Sequence, residues 1–528
     1  MNTPGHSLIH GPFFDTAARL PDKVALVCDG RRHSYAELAA RVEQLAELLT
    51  DGGVKRGDRV ALFLDNSVEL VTGLLAASSI GAVFMPINGL TRQEKLAYLL
   101  NDARASALIT HTALQPAWLG ALAANTSVHQ CLVAGGGADV DRIESRCLPY
   151  PQPHPHRELL QRATLPHAEV TAAGEADLAS IIYTSGSTGE PKGVMLTHHN
   201  MMSALRSVMA YLHVREDDVI MCVLPLAFGY GLYHWLMAAK TGATLLLENS
   251  FAFPLKVVQQ MAAERATYFP GVPTIFTQLL SVRGLEQYDL SALRIITNAA
   301  AAMPEEHIRR VRLAFPQAKL YSMYGLTECK RVTYLPPEQL DTRPCSVGRG
   351  MPYQEHWLAD EYGEPLPNGS TGELVVRGPH VMRGYWEKPE QTAERLRPAP
   401  ASCPFAGELV LHTGDLFRTD EEGWLFFIAR ADDIVKTRGE KVSPREVENA
   451  IYALDGVFEV AVVGTPDELL GAAVKAFIIR KPGAVLSERD VIRHCLARLE
   501  SFMAPKYVEF VTELPKTDTG KIRKVNLR

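Results

Sequence analysis

Apolar residues in this chain follow two alternating rhythms. Short runs such as VALVC at 24–28, RVALFLD from Arg59, SALIT at 106–110 and HQCLVAG at 129–135 end in turn residues and predict strands. Between them the spacing is helical: SYAEL opens a helix running through Leu49, and an amphipathic helix is predicted over 67–79. The long uncharged stretch 70–90 contains Gly73, Ser78, Ser79, Gly81 and Pro86, so it reads as a buried helix passing into a strand rather than a membrane span. Residues 134–173, with a glycine run and PYPQPHPHRE, read as a linker in which His154 and His156 are solvated. A helix over 200–213 and the strands DVIMCVLP, TLLLE, ATYFPGVP and LRIITN continue the alternation.

From Gly372 the texture changes to short strands between turns (ELVVRGP, LHTGD, GWLFFIAR), which predicts a β subdomain. After Arg430 a compact α+β unit is predicted from the helices PREVENAIYAL and SERDVIRHCLARL and the strands EVAVVGT and KAFIIR. The expected fold class is therefore α/β. A large domain, 1–431, combines parallel and mixed sheets with helices and the β subdomain; a small α+β domain, 432–528, follows it.

With 528 residues, 47% of them hydrophobic, the chain has the apolar content for more than one core. Its 54 basic and 60 acidic residues leave a net charge of -6, with no basic field for nucleic acid and no polybasic membrane anchor. Eight cysteines without a CxxC pair argue against a zinc site or a disulfide framework. The N-terminus lacks the charged and apolar regions of a signal peptide, so a soluble cytoplasmic protein is expected.

The candidate chemistry centres on 183–200, YTSGSTGEPKGVMLTHHN. Thr184, Ser185, Ser187 and Thr188 supply hydroxyls, Gly186 and Gly189 free the backbone, and Lys192 adds a cation, a combination suited to polyphosphate. The P-loop of kinases needs G-x-x-x-x-G-K-[ST] leading from a strand into a helix. Here Lys192 lies between Pro191 and Gly193, and the flanks LASIIYT and KGVMLTH both read as strands, with a helix starting near Asn200.

The string YTSGSTGEPKG resembles the phosphate-loop signature of the adenylate-forming superfamily, which holds acyl- and aryl-CoA ligases, luciferases and peptide-synthetase adenylation domains. SYAEL and GAVFMPIN resemble early motifs of the same superfamily. Such enzymes convert a carboxylate, whose oxygen is a poor leaving group, into an acyl-AMP anhydride whose AMP leaves readily. That chemistry needs a polyphosphate cradle, a divalent cation and contacts that locate the nucleotide.

The resemblance supplies residues for each part. YSMYGLTE, 321–328, resembles the YGxTE motif: Glu328 is the expected Mg²⁺ ligand, Thr327 contacts the α-phosphate or acyl-adenylate, and Tyr324 with Gly325 flanks the adenine. Asp415 in HTGD and Arg430 in FIAR resemble the pair that binds the ribose hydroxyls. From Asp432, DDIVKTRGEKVSPREVE resembles the hinge, with Asp432 as pivot, Gly439 on the loop lining the thiol channel and Lys436 near the reacting carboxylate. LPKTDTGKIRK makes Lys521 the residue that reaches the α-phosphate and carboxylate during adenylation. The two half-reactions then alternate by rotation of the small domain.

The resemblance implies ATP, Mg²⁺ and coenzyme A as cofactors, or carrier-protein phosphopantetheine as the thiol. The segment 225–235 has no acidic residue to pair with an ammonium, which disfavours α-amino acids, and Phe228 stands where the family often has histidine. Met323 replaces the small residue that opens an acyl tunnel in many relatives. An aryl or short-to-medium acyl acid is therefore expected, walled by Phe228, Tyr230, Gly231, Asn298, Ala299, Ser322 and Met323. Lys330 and Arg331, which follow the motif, pair either with a polar substituent of the substrate or with solvent, and solvent is the expectation. Other readings are a freestanding ligase that loads a carrier protein, a luciferase-like oxygenase, and a non-catalytic adenylate-binding protein. The oligomeric state is open between monomer and homodimer.

Overall fold

The computed structural model describes residues 7–125, 127–135, 147–150, 173–185, 190–299, 303–430, 433–437, 440–467, 470–516 and 522–527. Two large sheets form its frame. In the first, strands Val24–Cys28, Val219–Cys222, Thr244–Leu247, Tyr268–Gly271, Ile295–Asn298 and Lys319–Tyr324 lie parallel, and antiparallel strands close both edges. The strands Ile295–Asn298 and Lys319–Tyr324 are adjacent and in register, so Asn298, at the end of the first, sits beside Ser322. Open parallel sheets bind ligands beyond such carboxyl ends.

The second sheet runs in the order Gly384–Tyr385, Pro191–Thr197, Leu178–Ser185, Val83–Asn88, Arg59–Leu64, Ala107–His111, Gln130–Ala134, Cys147–Pro149. The strand Cys147–Pro149 corrects the expected linker over 134–173: its backbone pairs in parallel with Gln130–Ala134, so part of that stretch belongs to the sheet. His154 and His156 lie outside the described residues. Helix Val68–Ser79 is buried on every side, as expected of the uncharged stretch 70–90 and not of an amphipathic helix over 67–79. Its apolar and small side chains, Leu70, Val71, Gly73, Leu74 and Leu75 among them, let it pack into the core the two sheets share.

Strands Leu178–Ser185 and Pro191–Thr197 pair antiparallel, the strand, loop, strand arrangement expected. The following helix begins at His198, slightly earlier than expected, because Thr197 caps it: its hydroxyl accepts from Asn200 N–H at 3.1 Å and the Asn200 side chain accepts from Thr197 N–H at 2.9 Å. The β subdomain starts at Glu355 rather than Gly372, with Glu355–Ala359, Thr371–Arg377, Leu409–Thr419, Leu396–Pro398 and Leu425–Arg430 in one sheet.

One apolar cluster gathers residues from Ile9 to Leu425. A separate one draws only on Val435 and beyond, packing helices Pro444–Tyr452 and Glu488–Leu496 on strands Val457–Asp467, Gly471–Arg480 and Tyr507–Phe510. No helix among the described residues is long and apolar enough to cross a membrane. All eight cysteines are free, and all but Cys345 are buried.

Candidate active site

Asp415 lies on strand Leu409–Thr419, paired with Arg430 on the neighbouring strand. One of its oxygens accepts from the Tyr324 hydroxyl at 2.6 Å and the other from Arg430 Nε at 3.3 Å. Burial raises the Asp415 pKa above its usual 3.8, against the lowering pull of Arg430 and Tyr324. The preceding residues, where the strand's pairing with Thr371–Arg377 shifts register, are held from behind: Glu373 accepts from Gly414 N–H at 2.7 Å and pairs with His412 at 2.9 Å. Gly414 has φ +72, a backbone conformation that favours glycine at this irregularity in the strand, and a Cβ there would also displace the Arg395 guanidinium, 2.0 Å away. The Tyr324 ring packs edge-on against Phe417 at 4.8 Å, with Phe427 at 6.2 Å. The expected ribose pair and the expected adenine-side tyrosine therefore form one hydrogen-bonded unit.

Glu328 is joined to the phosphate-loop hairpin by Tyr385, a residue the sequence reading missed. The short strand Gly384–Tyr385 pairs antiparallel with Met195 and Val194 of the hairpin's second strand. Tyr385 Oη donates to Glu328 Oε1 at 2.7 Å, and the Lys192 ammonium lies 5.4 Å from the centroid of the same ring. Met382 N–H also donates to the Glu328 carbonyl at 2.7 Å. Burial and the Glu328 charge both push the Tyr385 hydroxyl's pKa up, so it stays a protonated donor. Partial desolvation works against the charge of the half-exposed Arg430 guanidinium, but Asp415 and Glu328 more than offset it. No motif spacing announces Tyr385, because strand pairing between residues far apart in sequence delivers it.

The base of the hairpin is anchored as well. Tyr183 Oη donates to Asp102 Oδ2 at 2.5 Å, and Trp386 Nε1 donates to the Asp102 carbonyl at 3.0 Å. Thr184 is part-buried, its hydroxyl 3.5 Å from the Lys192 carbonyl. Thr327 is half-buried in the turn after Tyr324. Gly325 packs so tightly that a Cβ would meet the Lys330 carbonyl at 2.5 Å and Arg331 Cα at 2.7 Å.

The expected acid-pocket residues come from three elements. Phe228 and Gly231 lie at the start of helix Gly229–Thr241, where a Cβ on Gly231 would strike the Pro225 carbonyl at 2.3 Å. Tyr230 Oη donates to the Thr297 carbonyl at 2.9 Å, tying that helix to the strand ending at Asn298 and Ala299. Ser322 and Met323 are buried, and the Tyr211 hydroxyl is 3.3 Å from Met323 Sδ.

The solvent-facing expectation for Lys330 and Arg331 is overturned. Lys330 is 8% and Arg331 3% exposed. The Lys330 ammonium donates to the Gly229 carbonyl at 2.6 Å and lies 4.3 Å from the Tyr233 ring centroid; the Arg331 guanidinium lies 5.0 Å from that of Tyr230. Lys330 has φ +63, and Arg331 N–H returns to the Cys329 carbonyl at 2.7 Å. Polar character in sequence suggested an outward face, and this tight turn reverses it.

Gly186, Ser187, Thr188, Gly189, Asp432, Gly439 and Lys521 lie outside the described residues, as do the side chains of Ser185 and Lys436. Among the described residues, no group of three or more His, Cys, Asp or Glu converges as a metal site.

Residues 13–386 match the family described as AMP-binding enzyme, and 446–521 the AMP-binding enzyme C-terminal domain. A long-chain-fatty-acid–CoA ligase of Bacillus subtilis (strain 168) is 32% identical over 530 residues, covering 96% of this chain and 92% of that protein. A feruloyl-CoA synthase of an Amycolatopsis species is 33% identical, covering 96% of each. Among solved structures, the anthranilate CoA ligase AuaEII in complex with anthranoyl-AMP superposes with a TM-score of 0.86 at 28% identity, covering 99% of this chain and 96% of that one. ATP-bound MatB from Rhodopseudomonas palustris does so at 0.84 and 30%, covering 99% and 98%.

Proposed function

This chain belongs to the AMP-binding enzyme family and is an AMP-forming acid–CoA ligase, and on that premise we propose how its residues divide the work. ATP and a carboxylic acid give acyl-AMP and pyrophosphate, and the acyl group then passes to the thiol of coenzyme A. The loop over 184–192 cradles the β- and γ-phosphates, with Lys192 as its cation. Asp415 and Arg430 hold the ribose hydroxyls, Tyr324 and Gly325 border the adenine, and Thr327 meets the acyl phosphate. Lys521 neutralises charge at the α-phosphate during adenylation, with Lys436 near the reacting carboxylate. The domain over 432–528 then pivots at Asp432, bringing Gly439 to the thiol channel and keeping water from the anhydride.

The observation that carries this reading is the continuity of the site. Through Tyr385, Glu328 is bound to the phosphate-loop hairpin, and through Tyr324 the same turn is bound to Asp415 and Arg430. Such preorganised donors and charges suit phosphoryl chemistry, which depends on positioning and electrostatics.

Glu328 fits a magnesium ligand: Tyr385 occupies one carboxylate oxygen, and Mg²⁺ usually takes only one or two protein carboxylates, completing its shell with water and phosphate oxygens. Bound there, the ion would neutralise charge on the polyphosphate. The acid is an aryl or short-to-medium acyl acid, and the protein acts in the cytoplasm, where ATP, coenzyme A and reduced thiols coexist.

Acid-dependent pyrophosphate release, measured over a panel of acids with coenzyme A present or absent, tests the reading. A thioester formed only with coenzyme A is expected. Transfer to a carrier-protein thiol in preference to coenzyme A would assign the acceptor otherwise, and activity rising steadily to C16 acids would refute the short pocket.

A further inference from the structure

Lys330 and Arg331 are the only lysine and arginine buried among the described residues, and they are consecutive. Neither has a carboxylate at ion-pair distance among the described residues, and the only charge acting appreciably on Lys330 is that of Arg331. Lys330 spends one proton on the Gly229 carbonyl and faces the Tyr233 ring. Arg331 has less: its guanidinium faces the Tyr230 ring, and its Nε is buried without a hydrogen-bond partner. A guanidinium stays protonated in proteins, and burying it unpaired opposes folding unless something else supplies the counter-charge.

The position of the pair indicates what that is. Its backbone lies against Gly325 in the YGLTE turn, while its side chains reach into the rings of helix Gly229–Thr241, on the acid side of the site rather than the nucleotide side. The reacting carboxylate belongs near Thr327 and the α-phosphate, so a second group must meet Arg331.

We propose that the acid this enzyme activates carries a second anionic group, in the simplest case a second carboxylate, and that Arg331, with Lys330 beside it, receives that group among Tyr230 and Tyr233. The inference rests on the ligase reading and deepens it: the product is a mono-thioester whose distal carboxylate remains free. A planar guanidinium fork suits a carboxylate, which accepts two parallel N–H bonds.

The test uses the full-length enzyme with ATP, Mg²⁺ and coenzyme A, measuring pyrophosphate release for matched pairs: C3 to C8 monocarboxylic acids against the dicarboxylic acids of equal length, and benzoate against its carboxylated derivatives. The best diacid is expected to exceed its uncharged counterpart in kcat/KM by about 30-fold or more, the scale on which losing one partner of a buried charge pair is felt. Arg331→Met should collapse the ratio to within about 3-fold, and Arg331→Lys, which keeps the charge but loses the fork, should leave an intermediate ratio.

A wild-type preference for uncharged acids, or a ratio that Arg331→Met leaves intact, overturns the proposal. Should Arg331→Met fail to fold, the wild-type ratio and Arg331→Lys decide it. If no acid of either kind releases pyrophosphate, the ligase reading itself fails and this inference with it. Monoacid turnover without a diacid preference sinks the inference alone.

Discussion

The proposed nucleotide end and the proposed acid end of this site treat buried charge in opposite ways. Asp415 is almost fully buried, yet it has Arg430 on one oxygen and Tyr324 on the other. Arg331 is buried more deeply and has aromatic faces and an unpartnered Nε. A site that satisfies its own charges is built before any ligand arrives and serves a ligand common to the whole family. A site that leaves a charge open is completed by its substrate, and so it selects one. On the proposed roles, the contrast puts generality at Asp415 and specificity at Arg331.

The largest expected effect tests whether the nucleotide end is complete without the tail. Lys521→Ala should lower adenylate formation by about 10²–10³-fold, as loss of a transition-state charge partner does, while largely sparing thioester formation from supplied acyl-AMP. Equal loss in both steps would show that Lys521 does not serve adenylation alone. Asp415→Ala should follow, raising the KM for ATP by about 10–100-fold, because two hydrogen bonds involving a charged group are lost and the Arg430 charge is left without its partner. Thermal unfolding should record a lower stability for this variant.

Arg331→Met should do the reverse. It removes an unpaired buried charge, so the apo enzyme should melt no lower than wild type and up to about 2 °C higher. A clear loss of stability would mean that the guanidinium is structurally satisfied, and the contrast would break.

Tyr385→Phe removes one donor from Glu328 and should cost about 5-fold in kcat, with a higher magnesium requirement.

The smallest effect is in pH dependence. Because the Asp415 pKa is raised above 3.8, the native protein holds its proton longer than the unfolded chain does. Its contribution to stability is therefore greatest at acid pH and falls as pH rises from 3.8 through the raised value. In the proposed ribose role Asp415 acts as the ionised carboxylate, so kcat/KM for ATP should fall on the acid side from above pH 3.8, and Asp415→Asn should remove that limb.

Sequence alone determined what depends on local order: the alternation of strands and helices, the strand, loop, strand around Lys192, and the chain order of Glu328, Asp415, Arg430 and Lys521, since periodicity and motif are properties of neighbouring residues. Tertiary structure decided what depends on distant segments meeting. Sheet pairing of Tyr385 with Val194 sets a tyrosine on Glu328, though 57 positions separate the two residues. The turn at Lys330 carries a lysine and an arginine inward because the aromatic faces that receive them come from helix Gly229–Thr241, a hundred residues upstream, and a side chain's surroundings are not a property of its own neighbourhood in the chain.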